Sequence, residues 1–170
     1  ILHSAQYPGS ADFAGQRVLV IGGGNSGAQI LADLLDVARV TWVTREPPTF
    51  LPDDVDGQYL FAQGTARYQA IKEGRTPPVP RSLGDIVMVA PVRAARDRGL
   101  LKAEPMFTRF TETGVQWPDG REEQVDAVIL ATGFKPNLAH LAPLAIPNAQ
   151  GRLEMSGVHA ASHPRLFPLG

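Results

Sequence analysis

The sequence predicts an α/β domain: a doubly wound parallel sheet with an antiparallel β-meander appended. Three observations carry that expectation. Arg17-Val18-Leu19-Val20-Ile21 is an apolar, β-branched run of strand length. It leads into Gly22-Gly23-Gly24-Asn25-Ser26-Gly27, after which Ala28, Ile30, Leu31, Leu34, Leu35 and Ala38 recur at helical spacing. A second run, Val40-Thr41-Trp42-Val43-Thr44, follows that helix and completes a β-α-β unit, which makes the two strands parallel. From Met106 the period shifts to two, and the region ends on Asp126-Ala127-Val128-Ile129-Leu130-Ala131, a nearly continuous apolar run expected of a parallel strand covered on both faces.

Taken in order, residues 1–16 read as a short extended segment and a loop, with Pro8, Gly9 and Gly15. Residues 17–44 are the β-α-β unit. Pro47, Pro48 and Pro52 then interrupt the chain, and Asp53-Asp54 are expected to cap a helix over about 56–72. The three prolines of 73–84 predict a loop, placed over the cleft. Ile86 to Val89 is too short a run for periodicity to choose between strand and buried helix. Val92 to Arg98 reads as a helix that stops at Gly99. Met106–Phe110 and Gly114–Trp117 are expected strands, Pro118-Asp119-Gly120 supplies turn chemistry, and Glu123-Gln124-Val125 returns.

At 170 residues the chain holds one full α/β domain with a remainder. Lys and Arg (16) nearly balance Asp and Glu (17), so no basic field points to nucleic acid or an anionic membrane. No apolar run is long enough to span a bilayer, and no signal-peptide pattern is present. The absence of cysteine removes disulfides, thiolate metal sites and C-x-x-C redox pairs together. A cytoplasmic location is the default expectation. The chain opens Ile1-Leu2-His3 without Met and closes Leu166-Phe167-Pro168-Leu169-Gly170, so both ends read as cuts through a larger protein.

The glycine turn sits where a dinucleotide pyrophosphate has to be held. Gly22 allows the tight turn, Gly24 lets backbone approach phosphate, and Gly27 lets helix and strand pack closely. The helix start at Asn25 then offers unpaired N–H groups and a partial positive charge, and Ser26 can add a hydroxyl donor. At the end of the second strand, where an NAD or FAD site would carry an acid on the ribose, stand Thr44 and Arg45. A guanidinium suits a 2′-phosphate, so the site reads as NADP(H)-binding; Glu46, one residue late, keeps an NAD-type contact open. His3, His140, His159 and His163 lack metal-ligand spacing, and Ser4 and Ser26 lie in no G-x-S-x-G elbow, so no metal site and no serine nucleophile are expected. Trp42 and Trp117 are expected in the core. Arg93, Arg96, Arg98 and Lys102 are expected on a solvated helix face, and Lys135 on the surface.

Three motifs in order, His3-Ser4-Ala5-Gln6-Tyr7-Pro8, Gly22 to Gly27 and Ala131-Thr132-Gly133-Phe134, carry a resemblance. The chain resembles the NADPH-binding half of flavin-containing monooxygenases and related two-dinucleotide-domain flavoproteins. The first motif is similar to the tail of F-x-G-x-x-x-H-x-x-x-(W/Y)-P, the second to G-x-G-N-S-G and the third to A-T-G-(F/Y). The resemblance implies an NADP(H)-binding domain over 10–143, with 1–9 and 144–170 as linkers and partial segments of an FAD-binding domain. It adds Thr132 and Gly133 to the cofactor-binding set of Gly22, Gly24, Asn25, Ser26, Gly27, Thr44 and Arg45. It implies hydride transfer from NADPH to FAD held by the FAD domain of the same full-length chain, oxygen activation and oxygenation of a small-molecule substrate. No side chain here is implied as catalytic, since the cofactors carry the hard chemistry. The upstream half of the fingerprint and an FAD-type glycine turn are missing from this sequence, so by itself it is expected to hold no FAD and to be inactive. His163 to Gly170 is similar to the strand that returns to the FAD domain. Two alternatives stay open: a cysteine-free flavoprotein reductase of thioredoxin-reductase ancestry, and a non-enzymatic NADP(H)-sensing module.

Overall fold

The computed structural model describes residues 1–55, 57–77, 85–144 and 151–168, with the side chains at 57 and 60 left aside. The 73–84 loop therefore lies outside the described residues from 78 onward, as do the last two positions of the His163–Gly170 run. The chain forms two compact units, Ile1–Gly133 and Phe134–Gly170.

In the first unit, β1 (Leu2–His3) leads through 3-10 turns at Ser4–Gln6 and Ser10–Phe13 into β2 (Arg17–Ile21). Helix α1 (Asn25–Leu34), β3 (Arg39–Thr44), α2 (Gly57–Lys72), α3 (Ala90–Asp97) and β4 (Ala103–Pro105) follow. The meander is β5 (Arg109–Phe110), β6 (Gly114–Gln116) and β7 (Glu122–Gln124), and β8 (Ala127–Leu130) returns to the main sheet. That sheet has the order β1-β8-β2-β3-β4, and every pairing in it is parallel.

Alternation along β2 decides the layers. Val18 and Val20 face one side with Ala28, Ile30, Leu31 and Leu34 of α1, Val92 of α3, Trp42 and Ile129. Leu19 and Ile21 face the other with Val43, Val128, Val115 and Trp117. The meander therefore covers one sheet face and α1 and α3 the other. Every β2 residue after Arg17 is buried, which explains its unbroken apolar run. Leu31 and Leu34 are 2% and 0% exposed, and burying such a side chain stabilises by about 2 kcal/mol. Both tryptophans are core residues, as expected.

Several local expectations change. The Asp53 carboxylate pairs with Arg96 and Arg93, while position 56, just before α2, lies outside the described residues, and the expected cap with it. The Arg96 hydrogen bond holds that carboxyl below the ordinary carboxylate range. Arg93 and Arg96 of α3 and Arg98 just past its end are thus exposed but paired, Arg98 with Asp36 at 2.7 Å. The run at 86–89 is neither a full strand nor a helix: Ile86 makes a single parallel bridge with Phe50. Strand β4 had no alternating or apolar signature, because a three-residue edge strand ending in proline needs none. Of Met106–Phe110 only Arg109–Phe110 pairs as a strand.

The second unit carries a 3-10 turn at Ala139–Leu144 and the hairpin β9 (Met155–Ser156) and β10 (His159–Ala160). His163 to Pro168 is not a strand: Ala160 N–H donates to Leu166 O and Leu166 N–H to His163 O, which closes it into turns.

Candidate dinucleotide-binding site

The three sequence motifs end at the same edge of the sheet. With the order β1-β8-β2, the C-terminal ends of those strands are neighbours, bringing together His3, Ala131 to Gly133, and Gly22. In an open parallel sheet this is the edge where ligands bind.

The turn after β2 is crowded by design. Gly22 has φ +138°, and a Cβ on it would lie 2.1 Å from the Ala131 carbonyl oxygen. Its N–H donates to Val43 O at 2.9 Å, and its carbonyl accepts from the Trp42 indole N–H at 2.8 Å. A Cβ on Gly27 would stand 2.1 Å from that same Gly22 oxygen, so helix and turn touch directly. Gly24 is the reverse case. It is the N-cap of α1, no side chain caps it, and nothing lies within 4 Å of the position its Cβ would take. The first intrahelical bond goes from Ala28 N–H to Gly24 O, which leaves the amides of Asn25, Ser26 and Gly27 as the free helix start. No acidic residue occupies that first turn. Open space, uncapped amides and a positive dipole end together fit a phosphate.

Beside the turn is a cleft of about 330 Å³ lined by Gly23, Arg45, Glu46, Pro47, Pro48, Thr49 and Asp85. Arg45 is exposed, and among the described residues its guanidinium makes no hydrogen bond or ion pair. Thr44 behaves differently from its neighbour. It is 4% exposed, and its Cγ2 lies 3.4 Å from a Cβ built on Gly23, so it packs under the turn. The Asn25 amide also points away from solvent: Nδ2 donates to Asp85 O at 3.1 Å and Oδ1 accepts from Val87 N–H at 2.8 Å. Ser26 is half-buried at the helix start.

At the next strand end, Thr132 and Gly133 are exposed. The Gly133 carbonyl accepts from His3 Nε2 at 3.0 Å, while His3 Nδ1 accepts from Ala5 N–H at 3.2 Å. The sequence reading missed Trp42 as part of the site. Its signal was an indole N–H on a residue expected in the core, a buried donor that needs an acceptor. Among the described residues no group of His, Asp or Glu is placed to hold a metal, and no helix is long and apolar enough to cross a membrane.

No protein-family model matches the chain. A flavin-containing monooxygenase from Stenotrophomonas maltophilia is 47% identical with a TM-score of 0.77, over 98% of this chain and 44% of that one. The chain is a homologue of the flavin monooxygenases. Rice indole-3-pyruvate monooxygenase YUCCA4 (Oryza sativa subsp. japonica) is 28% identical over 173 aligned residues, which cover 82% of this chain and 38% of the rice enzyme. The chain thus spans less than half the length of these flavin monooxygenase relatives. Thioredoxin reductase from T. acidophilum, 18% identical with a TM-score of 0.59, shares the fold. The architecture is accordingly the Rossmann-like α/β type of FAD/NAD(P)-binding proteins, as the glycine turn and the ordered motifs predicted.

Proposed function

We propose that residues 10–143 form the NADP(H)-binding domain of a flavin-dependent monooxygenase, with 1–9 and 144–170 linking it to an FAD-binding domain. The observation that carries the reading is an uncapped helix start at Gly24 beside a cleft lined by Gly23 and by Arg45, which has no partner among the described residues. The pyrophosphate is held by the amides that follow Gly24, with Ser26 as an added donor. Arg45 takes the 2′-phosphate through a charge-assisted fork. Gly22 and Gly27 make the turn, Thr44 supports it from below, and Thr132 and Gly133 border the site at the next strand end. When bound, NADP(H) and FAD supply the redox chemistry, a hydride passing from one to the other ahead of oxygen activation. This chain's own residues bind, orient and shape; none of them moves a proton. The small-molecule substrate is met elsewhere in the protein, and the monooxygenase relatives support oxygenation as its fate.

The test is Arg45→Ala. A charge-assisted contact is worth about 1.5–3 kcal/mol, so NADPH affinity should fall roughly 10- to 150-fold while NADH binding stays near wild type. Equal weakening of both in a titration would show that Arg45 does not read the 2′-phosphate. In the FAD-loaded protein, NADPH oxidation should draw oxygen. Rapid reduction of artificial acceptors with no oxygen uptake above background would favour the reductase alternative.

A further inference from the structure

Asp85, which lines the cleft, opens an extended segment at 85–87, and both polar edges of that segment are occupied. On one edge, Ile86 N–H donates to Thr49 O and Leu51 N–H donates to Ile86 O, both at 2.8 Å. Along the other edge, no strand among the described residues pairs with it. There the Asp85 carbonyl and the Val87 N–H meet the two polar atoms of one side chain, Asn25. A carboxamide offers the donor and acceptor of a peptide group, so this side chain stands in for the neighbouring strand that the segment lacks. Buried Ile86 and Met88, 0% and 3% exposed, anchor the segment from below.

We propose that Asn25 is a positioning residue of the cleft: it holds the Asp85–Val87 wall, and with it the Pro47–Thr49 rim, at a set distance from the phosphate turn. Three facts combine to require this. Asn25 is the first residue of α1, so its backbone belongs to the phosphate-binding helix start. Asp85, Pro47, Pro48 and Thr49 line the same cleft as Arg45 and Gly23. The Ile86 bridge ties the two halves of that wall together. Since both polar atoms of the amide are engaged, its side chain serves the wall, and its contribution to the ligand comes through its backbone N–H. Asparagine is demanded by chemistry: Asp cannot donate to Asp85 O, Ser supplies one group and Gln is one carbon too long.

This inference rests on the reading that the cleft takes the adenosine 2′-phosphate end of NADP(H). The test uses Asn25→Leu, which keeps shape and charge and loses both amide bonds, and Val87→Pro, which removes the second bond from the opposite side. Adenosine 2′,5′-bisphosphate is the titrated probe. Both variants should bind it at least about tenfold more weakly, the worth of one or two lost hydrogen bonds. In the FAD-loaded protein KM for NADPH should rise in step while kcat at saturating NADPH stays within about twofold, a split that general loosening would not give. Hydrogen exchange in unliganded Asn25→Ala should speed up at Val87, Ile86 and Leu51 and stay slow at Gly22. Wild-type binding of the bisphosphate that neither variant weakens overturns this inference alone. Failure of the wild-type protein to bind it overturns the NADP(H) reading and this inference together.

Discussion

Two glycines leave the same edge of the sheet on neighbouring strands, and they are held in opposite ways. Gly22 is enclosed: its φ of +138° is matched by a carbonyl 2.1 Å from where a Cβ would stand, and both of its peptide groups are bonded. Gly133 has φ +91° with nothing within 4 Å of a Cβ, and its exposed carbonyl is met by His3. The first turn is defined by its neighbours and the second by its own backbone preference. Packing leaves no compliance at Gly22, whereas Gly133 stands in open space where a ligand or another segment has room.

The largest expected effect is at the enclosed turn. In Gly22→Ala the new methyl meets backbone, which cannot rotate aside, and the residue also pays for a positive φ. We expect a loss of about 3 kcal/mol or more in denaturant unfolding, together with loss of NADPH binding. A variant with a wild-type midpoint and wild-type affinity would mean that crowding does not define this turn. Trp42→Phe sharpens the point: it leaves the Gly22 carbonyl without its donor and also trims a buried ring system. The lost bond is expected to cost about 1–2 kcal/mol, the smaller ring adds a packing cost, and NADPH binding should weaken by calorimetry. Unchanged binding would show that the turn holds its shape without that bond.

At the open turn, Gly133→Ala should cost about 1 kcal/mol from the left-handed backbone alone and leave adenosine 2′,5′-bisphosphate binding intact. Bulkier Gly133→Leu should in addition slow flavin reduction by NADPH in stopped flow. If either variant impaired bisphosphate binding as much as Gly22→Ala does, the contrast between the two turns would fail. The smallest effect lies at the far end of β2 and β8. Arg17 bonds Asp126 through its side chain and its backbone N–H, which holds that carboxyl well below the ordinary range. A carboxyl with a lowered folded-state pKa contributes stability above its unfolded value of about 3.9, and that contribution disappears as pH falls through and below it. Asp126→Asn should therefore flatten the acid limb of the stability profile, modestly, because the pair is 41% and 40% exposed. An unchanged acid limb in the variant would assign it to other carboxylates.

Legibility from sequence followed the range of the interactions. The β2-turn-α1 unit was readable because its determinants are local: alternation in a buried strand, glycines where side chains have no room, and apolar residues at helical spacing. Helix α3 was readable for the same reason, with Pro91 in its first turn and Gly99 just past its end. The pairing of Asp53 with two arginines some forty positions away was not legible, because nothing local marks a partner so distant. Ile86 was ambiguous because one bridge residue has no period.

The sequence by itself determined the parallel α/β class, the glycine turn, the arginine at the end of the second strand and the ordered motifs that carry the resemblance to flavin monooxygenases. Only the tertiary structure decided that His3 reaches Gly133 across 130 positions, that Ala131 forbids a side chain at Gly22, that Trp42 locks the turn, and that the Asn25 amide serves the cleft wall. The reason is physical. Strand and helix propensities act over a few neighbouring residues, while the order β1-β8-β2 joins the two ends of the first unit. A hydrogen-bonding side chain takes the partner that the assembled sheet places within reach.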